Sequence, residues 1–266
     1  MDIIAIKRLF SNKIFQSWLW FAVLLGIWEF ASQLSLVNNY MLPPFSKVVV
    51  NMIEELSSGK LGIQALNSLL VILEGFGLAL VLAVIITLFC SWIKPVETLF
   101  ATLSTIFNPL PAIALMPLII LWFGISTGAM LAMIVHGVLW ALVRHLLDGI
   151  RAIPKIYYEW GDNIQLPPLR KFIDVLLHAI LPEFIAGVRV GWGRAWRALL
   201  SAEMVFGMIG TLGGIGYYIY NARAFANITS VFSGVIIIVI IGVIFESILF
   251  SQLENHTIKK WGMIRE

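Results

Sequence analysis

Apolar residues in this chain do not recur at the period of a surface helix or a half-buried strand. They run in long blocks separated by short polar stretches. A helix needs about 20 apolar residues to cross a hydrocarbon core. Blocks of that length lie at roughly 17–37 (including WLWFAVLLGIWEFASQLSL), 65–92, 99–122, 127–147, 179–207 and 231–251. They predict an all-α integral membrane protein of about six transmembrane helices with no soluble domain. The first block is long, carries Trp18, Trp20 and Trp28, and lacks a small-x-small cleavage pattern before a mature domain, so it reads as a retained span and not a signal peptide. Pro109, Pro111 and Pro117 fall inside the third block and predict a break or bend, which is tolerated in a membrane where the backbone faces protein or a water-filled cavity.

One polar interruption stands out, YYEWGDNIQLPPLRKF from Tyr157. Ile156, Trp160 and Ile164 recur every four residues with Glu159 and Asp162 between them. This predicts a short helix, within about 155–168, lying along the membrane surface with one face toward a partner or simply anchoring the loop. Pro167 and Pro168 are expected to stop it.

Composition agrees with the blocks. Of 266 residues 60% are hydrophobic and 12% charged, with a mean hydropathy of +0.93, against about 25% charged in soluble proteins. The formal charge of +3 is too small to argue for nucleic acid. The single Cys90 can form no internal disulfide. Lys and Arg placement sets orientation. Lys7, Arg8, Lys13, Lys94, Arg144, Arg151, Lys155, Arg170, Lys171, Lys259, Lys260 and Arg265 fall on one side, and only Lys47, Lys60 and Arg223 on the other. Both termini and the Tyr157 stretch are therefore expected to be cytoplasmic.

Ionisable residues inside spans are costly in lipid and are functional candidates. The fifth block holds Glu183, Arg189, Arg194, Arg197 and Glu203. At 100° per residue Glu183, Arg194 and Arg197 share a narrow sector, while Arg189, Trp196 and Glu203 form a second line. Arg189 and Glu203 lie about 21 Å apart along the axis and cannot pair on their own helix. Two uses fit: a stripe that lines a translocation path, where arginine offsets an anion's charge, or inter-helix pairs near the membrane faces. His136 suits a satisfied interior histidine more than a proton relay. The proline break also fits a packing kink. The glycine-rich run from Gly207 is expected on the external side, as a re-entrant or surface element. The chain has no GxxxxGK[ST], HExxH, paired-Cys zinc pattern or GxSxG, so neither ATP binding nor catalysis on a substrate has visible apparatus.

Several blocks together resemble a family. The Tyr157 stretch followed by LPEFIAGVRVGWGRAW, SAEM and GGIGYYI, with WEFAS, MLPPFSKVV, NPLPAIALMPLIILWFG and a closing segment ending in Trp261, is similar to the permease subunit of binding-protein-dependent ABC importers, in the nitrate, sulfonate, taurine and bicarbonate branch. The resemblance covers nearly the whole chain in order. It implies a type I ABC importer permease fold: a cytoplasmic tail over 1–16, a transmembrane domain over 17–254 and a cytoplasmic tail over 255–266. It places the chain in a bacterial inner membrane.

The same resemblance makes the Tyr157 helix a coupling helix docked on a cytosolic ATPase, with Tyr157, Glu159, Trp160, Gly161, Asp162 and Gln165 as its contact residues. The family's signature there is degenerate. Counting back from Leu181 and Pro182, its Glu falls on Glu159, its two alanines on Trp160 and Gly161, its glycine on Gln165, and its earlier proline on His178. Alanines and glycine allow close approach, so Trp160 and Gln165 imply a partner surface shaped for this chain, or a second permease with the better motif. Implied partners are two ATPase subunits that hold ATP and Mg, a second permease chain, identical or related, an external solute-binding protein or lipoprotein, and membrane lipid. No cofactor is expected on this chain. Pathway candidates are Pro111, Met116, Trp122, Arg189, Arg194, Trp196, Arg197 and Glu203, with Met116 and Trp122 as gate residues because the family's corresponding span contributes to the pathway, while Glu29, in a block that matches the family, suits an internal structural partner. The implied cargo is a small anion or organic acid, with a heterocyclic vitamin precursor as an alternative. Two other classes are a proton-coupled secondary transporter using Glu203, His136 or Glu29, and a membrane scaffold that moves nothing.

Overall fold

In the computed structural model, residues 13–167, 170, 174–175, 177–209 and 213–259 are described. Lys7, Arg8, Pro168, Lys171, Lys260, Trp261 and Arg265 lie outside them, as do residues 210–212 of the glycine-rich run. The described elements are α1 (Lys13–Gln33), α2 (Phe45–Ser57), α3 (Lys60–Trp92), α4 (Lys94–Phe107), a 3-10 turn (Ala112–Leu115), α5 (Met116–Phe123), α6 (Thr127–Ala152), α7 (Lys155–Asn163), α8 (Leu177–Phe206), α9 (Ile215–Ala224) and α10 (Ile228–Ile244). Beyond Ile244 the last helix continues through a wide π-helical stretch, Phe245–Phe250. Among the described residues three helices are long and apolar enough to cross a membrane: Lys60–Trp92, Thr127–Ala152 and Ile228–Thr257. The third predicted span is not one straight helix, because α4 and the Ala112–Phe123 segment meet at a 92° bend. Pro109 and Pro111 at the break have no amide proton to continue the ladder.

The chain divides into two compact units. The first comprises the described residues within 1–62 and 218–236. Here the Trp28 ring lies between Phe45 and Phe232, at centroid distances of 5.3 and 5.2 Å, and its indole N–H donates to Pro43 O. Asn51 donates to Ser233 Oγ at 2.9 Å. Glu29 turns inward on its own unit and caps α2: its carboxylate accepts from the Ser46 N–H (3.0 Å), the Ser46 hydroxyl (2.8 Å) and Gln33 (2.6 Å). An acid at the positive end of a helix with unsatisfied N–H groups is stabilising. Glu29 thus has the internal structural partner expected of it.

The second unit comprises the described residues within 63–217 and 237–266, and its centre is the pairing of α6 with α8. Ser126 caps α6 by accepting from the Ala129 N–H. Small residues let the two helices approach, as in membrane bundles. A Cβ on Gly187 would lie 2.9 Å from His145 Cβ, and one on Gly149 2.9 Å from Glu183 Cβ. Met133, Ile134, Val138, Leu142 and Leu199 are fully enclosed.

Candidate functional site

The break between α4 and the Ala112 turn opens onto α8. A cavity of about 400 Å³ is lined by the break itself, by His136 of α6, and by Arg194, Arg197 and Ser201 of α8. The kink frees carbonyls that must find donors, and side chains supply them. Arg194 donates to Asn108 O (3.2 Å) and Asn108 Oδ1 (2.8 Å). His136 Nε2 lies 3.3 Å from Leu110 O, and Trp140 Nε1–H donates to His136 Nδ1 at 3.2 Å. With Nδ1 accepting, the proton sits on Nε2 and points at Leu110, which is the neutral tautomer. His136 is therefore held on both nitrogens, as an interior histidine. Arg197 has no ion pair among the described residues, and no acidic side chain lines the cavity. The site is electropositive by construction, with two guanidinium groups three residues apart on one helix face.

The other charges of α8 go elsewhere. Arg189 donates to Glu246 (2.7 Å) and Glu254 (2.6 Å) on the last helix. Glu246 lies in the π-helical stretch, where Phe245 stacks on Trp192 at 4.2 Å, and Glu254 in the α-helical turn that follows it. Trp196 is buried edge-on against Trp192. Glu183 faces His145 at 3.5 Å.

Glu203 is 2% exposed. One oxygen accepts from the Ser68 hydroxyl (2.7 Å) and the other from the Gly216 N–H (2.8 Å), while Ser68 Oγ itself accepts from the Ile215 N–H (2.9 Å). Asn67 completes the clasp by donating to Gly213 O. The glycines are required for contact: a Cβ on Gly214 would overlap the Glu203 carboxylate, and one on Gly216 would lie 2.8 Å from Leu200 O. The GGIG segment thus seats the start of α9 on a carboxylate, as α2 is seated on Glu29.

Of the pathway candidates, the fold brings together Pro111, Arg194 and Arg197. Met116 is buried and Trp122 69% exposed, and neither lines this cavity. Arg189, Trp196 and Glu203 also lie outside it. Asn108, Ser201 and Ser68 were missed. Asn108 had a signal, an amide immediately before a Pro-x-Pro break. The serines had none that pattern alone would single out.

The Tyr157 stretch forms α7 and ends at Asn163. Ile156, Tyr157, Trp160 and Ile164 are all exposed, and Gly161 is buried. Chain termination does not wait for Pro167. Gln165 has φ +50°, its N–H donates to Asp162 O, and the Leu166 N–H donates to Gly161 O. This is a Schellman closure, whose left-handed position usually holds glycine. Sequence reasoning read Gln165 as part of a docking surface. Its backbone serves a different purpose, ending the helix where the resembling family's glycine falls.

Among the described residues no group of three or more His, Cys, Asp or Glu could hold a metal ion. Relatives agree with the motif reading. The chain is 28% identical over 240 residues, 90% of its length and 85% of the relative's, to a putative aliphatic sulfonates transport permease protein of Bacillus subtilis. It is 34% identical over 146 residues to a protein of the same description in Escherichia coli, covering 55% of this chain and 54% of that one. It is 25% identical over 230 residues to the taurine transport system permease protein of Escherichia coli, covering 85% and 82%. Residues 75–256 match the family described as the binding-protein-dependent transport system inner membrane component, and the chain belongs to that family, as the non-catalytic permease component of an ABC-type import system.

Proposed function

We propose that this chain forms part of the translocation pathway for a small organic anion of the sulfonate type, and that the Arg194–Arg197 cavity is its polar station. One observation carries the reading: two guanidinium groups face a cavity at a broken helix with no acidic side chain among its lining residues. The likeness to sulfonate and taurine permease proteins of Bacillus subtilis and Escherichia coli supports the cargo class. In the proposed arrangement six segments cross a bacterial inner membrane: α1, α3, the bent α4–α5 pair, α6, α8 and the last helix. Both termini are cytoplasmic, with tails over 1–16 and 255–266.

The α7 helix, through Tyr157, Glu159, Trp160, Gly161 and Asp162, with Gln165 closing it, couples to a cytosolic ATPase. Its exposed apolar residues and the tryptophan anchor suit a protein partner. Two ATPase subunits holding ATP and Mg, a second permease chain and an external binding protein complete the complex. ATP-driven closure moves α7 and shifts the pathway between inward and outward access. Tagging the chain, extracting it mildly and weighing what co-purifies tests this. An ATPase at one copy per permease is expected. Its absence in every mild preparation, or uptake that persists without ATP while a proton gradient is held, would overturn the reading.

A further inference from the structure

The cavity's hydrogen-bond inventory narrows the cargo. We infer that the site at Arg194 and Arg197 admits anions that carry no positive group, and discriminates against zwitterions such as taurine. The inference rests on the pathway reading above and concerns which anions that path accepts.

A cavity of about 400 Å³ suits a small ligand. Several of its acceptors are already engaged. Asn108 O and Oδ1 receive Arg194, and Leu110 O receives His136. His136 Nδ1 receives Trp140. Ser201 gives its proton to Arg197 O and keeps only a neutral oxygen. What its charged and amide side chains keep available is donors: the remaining guanidinium N–H groups of Arg194, those of Arg197, and the Asn108 amide nitrogen, left over because its oxygen faces Arg194. This inventory matches the three oxygens of a sulfonate, and Arg in particular suits planar or forked recognition of oxyanions.

An ammonium group in the same space finds neutral oxygens such as Ser201 Oγ but no negative charge to offset its own. No carboxylate lines the cavity. Phe107, the ring available for a cation–π contact, is covered on one face by Trp140, stacked at 4.9 Å, and meets His136 edge-on. Within a short ligand an ammonium also stays near the two guanidinium groups, and like charges at short range repel. Taurine and ethanesulfonate differ by this one group, so they isolate the effect.

The test measures equilibrium binding of radiolabelled ethanesulfonate and taurine to the permease–ATPase complex in nanodiscs, without the binding protein, so that selection by that protein does not enter. N-acetyltaurine, which keeps the nitrogen but loses its charge, separates charge from size. Ethanesulfonate is expected to bind at least tenfold more tightly than taurine. N-acetyltaurine should recover most of the difference, and Arg197→Ala should weaken ethanesulfonate at least tenfold. Taurine binding within threefold of ethanesulfonate, with both lost in Arg197→Ala, would overturn the charge selection and leave the pathway reading standing. If ethanesulfonate does not bind at concentrations that saturate its uptake, or if Arg197→Ala alters neither binding nor uptake, both the selection and the placement of the pathway fall.

Discussion

The two polar lines of α8 face opposite demands. Along one, Arg189 and Glu203 have every charged group engaged: two acids of the last helix for the arginine, a hydroxyl and a backbone N–H for the glutamate. Along the other, Arg194 spends part of its guanidinium on the broken backbone at Asn108 and Arg197 has no acidic partner among the described residues. Both lines carry charge along one largely apolar helix, and only the second leaves charge unspent. The difference teaches how to read charges on such a helix. Presence marks a candidate, but the partner count separates a structural clasp from a group held ready for a ligand.

The largest effect that sharpens the contrast is expected at the clasp. Glu203→Ala removes an acceptor from Ser68 and from the Gly216 N–H inside a closed site. Each hydrogen bond to a charged group contributes about 1.5–3 kcal/mol, so a loss on the order of 3 kcal/mol is expected. It should appear as a lower thermal midpoint and as faster hydrogen exchange at Ile215 and Gly216. Gly214→Ala should reproduce it, since its Cβ overlaps the same carboxylate. Unaltered exchange at those two amides in Glu203→Ala would show that the clasp does not hold α9.

Next comes the direct comparison between the lines. Arg197→Ala is expected to cut anion uptake at least tenfold, about 1.4 kcal/mol in transition-state terms, while stability changes by less than about 0.5 kcal/mol, as for a side chain whose charge has no structural partner. Arg189→Ala should do the reverse, lowering stability by about 1 kcal/mol, since its pairs with Glu246 and Glu254 are partly exposed and screened, with the binding of anion to the complex unchanged. Paired measurements of uptake, anion binding and thermal midpoint on the two variants decide it. If Arg189→Ala abolishes anion binding and Arg197→Ala only destabilises, the assignment of the two lines is inverted.

Much of this was legible in the residues, and the limits have physical causes. Block length and the Asn108–Pro109–Leu110–Pro111 sequence foretold long helices and an interruption in the third block, because span length and a missing amide proton act locally. The two lines on α8 were legible as well, since a 100° rotation per residue is intrinsic to a helix. What each line faces was not. Glu246 and Glu254 lie 57 and 65 residues from Arg189, and Ser68 lies 135 residues from Glu203. Pairs at such separations are chosen by packing, which a single sequence does not display. The clasp did leave a trace in GGIG, whose glycines make room for a carboxylate that the sequence alone does not identify.

The smallest expected effect concerns α7, where sequence resemblance and local geometry assign the same residue different work. If Gln165 were chiefly a contact residue, replacing it would change docking and leave the isolated helix unaffected. Its φ of +50° argues otherwise, because a left-handed conformation costs a residue with a Cβ roughly 1–2 kcal/mol and costs glycine almost nothing. Gln165→Gly is therefore expected to slow hydrogen exchange at Gln165 and Leu166, the two amides of the Schellman closure, and to raise stability by up to about 1 kcal/mol, with ATPase co-purification unchanged. Gln165→Val, β-branched and strained at positive φ, should move exchange at the same amides the opposite way. Should Gln165→Gly instead leave exchange untouched and weaken ATPase capture, the side chain would be the functional part and the backbone conformation incidental. The pair of variants thus separates how α7 ends from what α7 touches.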